Sequence, residues 1–326
     1  MALICKKMLH GHFATGRYTS TVLFVLSMLV MVSAHWLPLS APAVVESGQS
    51  LFLGGIVPRV IALLMYLFSA VLLSGQTFFD NRVRWMGALY MWMVALSTFV
   101  NGNSLVALSS LLFLVSVLLL FFGQYSTEPV GALFTSFMLL GVQALLTPLS
   151  LYFVPLCLAF CPMANIFSAK GLAASLLGFI TPFWLVLGAA YVFPQVNIVL
   201  EPFLQGLPTL LNIQFPGLDV LHLLQLLFVL VVLLPATFAF VGSTSPAKPL
   251  LRRRMSFVIL ANIYLLVLFC LVGGSSALFY MCQLPFVAVL ASYLLARKET
   301  WLLNVYLIVI NLIMVAIATH RLWLTH

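Results

Sequence analysis

The sequence predicts an all-α fold: a polytopic bundle of about 11 transmembrane helices that forms one integral membrane domain over residues 1–326. Composition is the first observation behind this prediction, with 64% hydrophobic residues, 6% charged residues and a mean hydropathy of +1.20. A soluble domain typically carries about 25% charged residues, so the composition excludes an ordinary soluble fold. Helices of about 20 apolar residues each leave no room for a separate soluble domain.

The positions of the basic residues are the second observation. All 14 Lys and Arg residues except Arg59 and Arg321 fall in alternate gaps between the apolar runs. Short cytoplasmic loops retain Lys and Arg, whereas translocated loops lose them. The alternation therefore predicts a multi-pass membrane protein with a cytoplasmic N-terminus and a C-terminus on the opposite side, which is periplasmic if the membrane is a bacterial inner (cytoplasmic) membrane.

The predicted spans follow the apolar runs in chain order. They cover residues 19–36, 51–75, 85–100, 105–123, 130–149, 151–167, 171–193, 220–240, 255–272, 275–296 and 301–319. The fifth and sixth spans are short, and a different interpretation of this hairpin gives 10 or 12 spans. The first span also resembles a cleaved secretory signal, because basic residues precede it and small residues follow it.

One connection is longer and more apolar than a solvated loop. Residues 194–219 contain Leu, Ile, Val and Phe throughout, and they lie on the predicted periplasmic side. Irregular backbone at a membrane must find hydrogen-bond partners in the protein or at the interface. We therefore expect an interfacial or re-entrant loop over this segment.

The formal net charge of +8 does not predict a nucleic-acid partner, because the basic residues lie in short hairpins rather than on one face. Arg252, Arg253 and Arg254 form the densest basic cluster. These arginines either contact anionic headgroups or serve only to fix topology. Membrane lipids are the expected partners, and the sequence is silent on protein partners.

Five residues on the predicted outer side are candidates for chemistry: Glu46, Arg59, Glu201, Asp219 and His222. Arg59 is a charge in the outer third of a span, where it is costly unless it is paired or reaches the interface. It either binds an anion such as the phosphate of a lipid-linked substrate or reaches the interface beside Glu46 or Glu201. The first interpretation makes Arg59 and Glu201 substrate-binding residues.

The catalytic candidates are Glu46, Asp219 and His222. Asp219 and His222 are three residues apart, so they share a helix face and form either an acid–base pair or an interfacial hydrogen bond. No cofactor and no metal are expected. Cys157 and Cys161 share a helix face as possible ligands, but buried cysteine usually behaves as a small apolar residue.

None of the six Asp and Glu residues lies deep within a predicted span. Proton-driven transporters usually need an ionisable group at that depth. The pattern counts against proton-coupled transport, and it leaves open passive transport and sodium sites built from carbonyl groups.

Several segments together resemble a family of uncharacterised multi-pass inner-membrane proteins of Bacteroidota. They are Pro58-Arg59 with the apolar run that follows, Asn101 and Asn103, Gly131-Ala-Leu-Phe-Thr-Ser-Phe, Leu145-Leu-Thr-Pro148 and Leu176-Leu-Gly178-Phe-Ile-Thr-Pro182-Phe. The resemblance covers about residues 50–190. It implies a bacterial inner membrane and no particular activity.

Three functions remain open. The favoured hypothesis is transfer or flipping of an amphiphilic or lipid-linked envelope substrate at the outer face, which leaves undecided whether the protein is an enzyme. The alternatives are a non-catalytic membrane assembly or scaffold subunit, and a solute transporter that uses no intramembrane carboxylate.

Overall fold

The computed structural model describes residues 19–36, 53–75, 86–97, 104–126, 129–166, 168–193, 195, 197–211, 220–242, 249–272, 276–295 and 301–324. Every regular element in these ranges is helical, which confirms the all-α prediction. The elements are α1 Thr19–Trp36, α2 Leu53–Gly75, α3 Met86–Leu96, α4 Ser104–Gly123, α5 Val130–Leu146, a 3₁₀ helix Pro148–Tyr152, α6 Phe153–Met163, α7 Ala169–Val192, α8 Asn197–Leu211, α9 Val220–Val241, α10 Pro249–Leu271, α11 Ser276–Leu295 and α12 Trp301–Leu324.

A helix occupies each of the predicted spans. Among the described residues, 6 helices are long and apolar enough to cross a membrane: α2, α4, α7, α9, α10 and α11. The other predicted spans correspond to shorter apolar helical segments. The structure therefore supports a membrane protein with several apolar helices, and the count of 11 crossings stays a prediction.

The chain forms two compact units. Unit 1 comprises Met1–Ser104, Gly217–Pro246 and Gln283–His326, and unit 2 comprises Leu105–Pro216 and Ala247–Cys282. Helix α11 contributes residues to both. The prediction of one integral membrane domain stays a prediction.

In unit 1, α3 is the shared packing partner. It contacts α1, α2 and α12, and α9 also packs on α12. Gly87 of α3 lies so close to the backbone carbonyl of Ala70 that a Cβ atom there would clash. Across the contact with α12, the indole nitrogen of Trp92 donates to the side-chain oxygen of Asn311 at 3.2 Å.

The core of unit 2 is aromatic. The rings of Phe113 and Phe153 stack with their centroids 4.3 Å apart, and the rings of Phe160 and Phe257 meet edge-on at 4.4 Å. All four side chains are fully buried. Such ring pairs stabilise the packing beyond simple area burial, and here they join α4, α6 and α10.

Helix α7 packs on α5 through a face of small residues. The buried residues of α7 are Gly171, Ala174, Ser175, Gly178 and Pro182. A Cβ atom on Gly178 would clash with the carbonyl of Phe134, and one on Gly141 would lie 2.5 Å from the carbonyl of Phe179. Small residues at this spacing let membrane helices approach closely, although the sequence analysis did not identify the motif.

The α5–α6 hairpin is short because of Pro148. The residue before a proline is driven out of the helical region, and Thr147 accordingly has φ −138° and ψ 99°. Helix α5 therefore ends at Leu146, and the chain continues as the 3₁₀ helix.

The apolar segment 194–219 contains a helix, α8, where the sequence predicted a loop. Helix α8 packs on α5, on the 3₁₀ helix and on α7. The hydroxyl of Tyr152 donates to the carbonyl of Leu210 at 2.5 Å. A Cβ atom on Gly206 would lie 2.6 Å from Cγ of Pro148. These contacts fix α8 against the tip of the α5–α6 hairpin, and its position at a membrane interface stays a prediction.

The α5–α7 contact yields a first prediction. We expect Gly178→Ala to lower the free energy of unfolding by about 1–3 kcal/mol, because the added methyl group meets backbone rather than a flexible side chain. Thermal unfolding of the purified protein, followed by tryptophan fluorescence, measures the effect.

Gly188→Ala in the same helix is the matched control, because nothing lies within 4 Å of a Cβ atom at Gly188. This variant should be neutral or more stable by up to about 1 kcal/mol, since alanine favours helix. Equal stability of the two variants would contradict the close-packed interface.

Candidate functional site

The structure describes three of the five predicted site residues. Arg59 and His222 belong to unit 1, and Glu201 belongs to unit 2. Glu46 and Asp219 lie outside the described residues. The predicted Asp219–His222 pair therefore stays a prediction.

Arg59 lies on the packed side of α2. The buried residues Ala62, Tyr66 and Leu73 follow it at helical spacing, while the neighbouring side chains of Val57 and Val60 are exposed. Positions three, seven and fourteen residues apart share one helix face. Arg59 itself is half-buried, so its stem lies along the protein rather than on the apolar outer side of the helix.

Glu201 is exposed on α8, and it is the only acidic side chain in the part of the chain that the structure describes. The amide of Gln205, one turn later, donates to its Oε1 at 3.1 Å. On the opposite side of α8, Phe203 meets the ring of Phe183 of α7 with centroids 5.1 Å apart. Helix α8 therefore turns Phe203 toward α7, while Glu201, Gln205 and the apolar Leu204 are exposed.

His222 lies in the first turn of α9 and is half-buried. The buried residues Gln225, Val229 and Val232 follow it on the same helix face. His222 is thus on the packed side of its helix.

Arg254 is a buried residue of unit 2 that bonds to the C-terminal end of α4. It is only 4% exposed, and its guanidinium donates to the Phe121 carbonyl at 2.8 Å and to Oε1 of Gln124 at 3.0 Å. The guanidinium also lies over the ring of Tyr125, 4.7 Å from the centroid. A cation that binds the last carbonyls of a helix complements its dipole, so Arg254 caps α4.

The other two arginines of the cluster differ from Arg254. With its amide oxygen turned toward α10, Asn165 accepts hydrogen bonds from the Arg253 guanidinium at 3.2 and 2.9 Å. Asn165 has φ 56°, a left-handed conformation that asparagine tolerates better than most residues. Arg252 is exposed. The cluster thus combines a cap, an inter-helix bond and one outward cation.

A second polar group lies at the opposite end of unit 2, at the C-terminal end of α5. Gln143 is fully buried, and its Nε2 donates to the Ser109 carbonyl of α4 at 2.9 Å. The hydroxyls of Ser109 and Thr147 lie 3.1 Å apart. Sequence reasoning missed this group, although Gln143 is the one amide in an apolar run and lies four residues before Thr147.

The cysteine pair is part of the core. The thiol of Cys161 donates to the carbonyl of Cys157 at 3.4 Å, and both residues are buried. No group of three or more His, Cys, Asp or Glu residues within the described ranges could hold a metal ion.

The Arg254 cap yields a second prediction. Arg254→Gln should lower the free energy of unfolding by about 2–3 kcal/mol, because it removes a charge-assisted hydrogen bond to a helix end and leaves the partners unpaired. Chemical denaturation of the purified protein measures the loss.

Arg252→Gln is the control, since it removes the same charge from an exposed position. This variant should change the free energy of unfolding by less than about 0.5 kcal/mol. A loss of equal size in the two variants would show that charge at this end, rather than the cap, stabilises the fold.

Comparison with known proteins does not extend this description: no protein-family model, no curated protein and no solved structure matches the chain.

Proposed function

We propose that the chain is a multi-pass protein of the bacterial inner membrane that handles an amphiphilic or lipid-linked substrate at its outer face, by transfer or flipping. The observation that carries this proposal is α8, an amphipathic helix fixed across helix ends on the predicted outer side, with Glu201 exposed on it. The inner-membrane location rests on the alternating basic residues and on the resemblance of about residues 50–190 to the Bacteroidota family.

Contacts inside unit 2 support the proposed threading of the chain. Arg254 bonds to the carbonyl of Phe121, and the charge pattern assigns both to the cytoplasmic side. Tyr152 bonds to Leu210, and both fall on the predicted periplasmic side. If one span of this unit were assigned wrongly, residues predicted on opposite sides of the membrane would be in contact. The agreement favours the proposed alternation of directions.

The lengths of the helices support an interfacial position for α8. Helix α5 has 17 residues, which at 1.5 Å per residue is about 26 Å, whereas the hydrocarbon layer is about 30 Å thick. A hairpin of this length ends below the layer's outer boundary. Helix α8 packs on that tip, and an amphipathic helix at this level lies in the interface.

A substrate with a polar headgroup and an apolar chain fits such a surface. The headgroup would meet the polar edge formed by Glu201 and Gln205. The chain would lie beside exposed apolar side chains of α7, of which Leu185 is 68% exposed and Val192 64% exposed. Glu201 is thus the proposed residue that binds the polar headgroup of the substrate.

Arg59 is the proposed phosphate-binding residue of unit 1. Arg59 is half-buried on the packed face of α2, and Arg presents a planar fork that matches phosphate oxygens. Glu46, Asp219 and His222 remain catalytic candidates on the basis of the sequence alone.

The second candidate function is a non-catalytic assembly subunit. It is favoured by the hydroxyl groups of the described spans, many of which bond to carbonyls of their own helix. Examples are Ser69 to Met65, Ser175 to Gly171 and Thr181 to Leu177. Such bonds satisfy a hydroxyl in an apolar medium without serving a ligand.

A third prediction separates the two functions. Native mass spectrometry of the purified protein with added polyprenyl phosphate should show a bound adduct, while uncharged polyprenol should bind weakly. Arg59→Gln should weaken the phosphate adduct about tenfold, the effect of one charge-assisted hydrogen bond.

Arg252→Gln is the control here also, because it removes a cation from the predicted opposite side. Equal binding of polyprenol and polyprenyl phosphate, or an Arg59→Gln variant that binds like the wild type, would contradict the proposed function and favour the assembly subunit.

A further inference from the structure

We propose that unit 2 binds a dehydrated Na⁺ ion at the C-terminal end of α5, with Gln143, Thr147 and Ser109 as side-chain ligands. The site is separate from Arg59 and Glu201 and does not depend on the proposed lipid-linked substrate. It is built from neutral oxygen atoms.

The first observation is an unsatisfied acceptor. Gln143 is fully buried, and its Nε2 donates to the Ser109 carbonyl at 2.9 Å. Its Oε1 has no hydrogen-bond partner among the described residues. A buried amide oxygen is costly without a donor or a cation, so this atom needs a water molecule or a cation that the described side chains do not replace.

The second observation comes from counting hydroxyl protons. The Thr147 hydroxyl donates to the Gln143 carbonyl at 3.1 Å. With the Thr147 proton on that carbonyl, the 3.1 Å contact with the Ser109 hydroxyl takes its proton from Ser109. In this arrangement both protons are used, and the remaining lone pairs of the two oxygens act only as acceptors. An acceptor-rich group of this kind favours a cation.

The third observation is the helix end itself. The last carbonyls of a helix lack intrahelical donors and carry the negative end of its dipole. Helix α5 ends at Leu146, close to the outer boundary of the predicted membrane. Broken helices of membrane transporters coordinate Na⁺ with such carbonyls and helix C-termini. At the end of α5, unpaired helix carbonyls and the negative end of the helix dipole both lie one turn or less from Gln143.

The neutral charge of the three side chains favours a monovalent over a divalent cation. The three side chains are neutral, whereas Ca²⁺ and Mg²⁺ sites are normally built with carboxylates. The described basic residues of unit 2, which are Lys170 and Arg252–Arg254, lie at the other end of its helices. A monovalent cation is therefore the expected ligand.

Access to the site involves α8. This helix packs on α5 and on the 3₁₀ helix directly beyond Thr147. The contact of Gly206 with Pro148 and the bond of Tyr152 to Leu210 hold it there. A sodium site at this position would supply a cation-dependent step to a chain whose carboxylates all lie outside the predicted spans.

The test is thermal unfolding of the full-length purified protein in detergent, with NaCl replaced stepwise by choline chloride at constant ionic strength. A ligand that binds only the folded state raises the Tm as its concentration rises. We expect a saturable rise with Na⁺. Gln143→Leu and the nearly isosteric Thr147→Val should each weaken the apparent affinity about tenfold or more.

Ser110→Ala is the matched control, because Ser110 is buried one residue from Ser109 and donates instead to the Met281 carbonyl at 3.1 Å. It should keep the wild-type sodium response. If Gln143→Leu does not fold, Thr147→Val and Gln143→Glu decide the matter, with tighter Na⁺ binding expected for the added carboxylate.

Two results would overturn the site. Coincident curves in NaCl and choline chloride for the wild type would show that Oε1 of Gln143 is satisfied by water alone. A full sodium response in both Thr147→Val and Gln143→Glu, equal to that of Ser110→Ala, would place the ion elsewhere.

Discussion

The cost of an unpaired polar group in an apolar medium is the constraint on which this structure depends. Lipid offers no hydrogen bonds, so backbone groups must bond within helices and charges must lie at helix ends or find partners. The described residues follow this rule closely. Many hydroxyl groups bond to carbonyls of their own helix, others to a neighbouring helix, and the buried Arg254 is held by the Phe121 carbonyl and by Gln124. Oε1 of Gln143 departs from the rule, because no described residue donates to this buried oxygen, and it suggested a ligand.

The sequence could predict the helices because their signals are local. Apolar runs of membrane length and the basic residues between them require no knowledge of the fold, and the predicted first span coincides with Thr19–Trp36. The sequence could not predict the close α5–α7 pair, because that depends on which small residues face each other. Helix α8 was also missed, since Pro202, Gly206 and Pro208 are typical of irregular loops.

Charged site residues were easier to identify than neutral ones. Arg59 and Glu201 stand out because charge is rare in this chain, and the structure places each on a distinct face of its helix. Gln143 carries no charge, and its meaning depends on Ser109, 34 residues earlier. The partner of Arg254 is similarly remote, 133 residues away at Phe121. Tertiary contacts of this kind have no signature in a single sequence.

The central claim is that the Arg252–Arg254 end and the α8 end of unit 2 lie on opposite sides of a membrane. Cysteine labelling in intact cells tests it most directly, with Gln205→Cys and Ser126→Cys placed singly in a cysteine-free protein; both positions belong to unit 2, and Ser126 follows the end of α4 that Arg254 caps. We expect a membrane-impermeant maleimide to label the exposed position 205 at once and the exposed position 126 only after permeabilisation. Labelling of both from the same side, or in the reverse order, would contradict it.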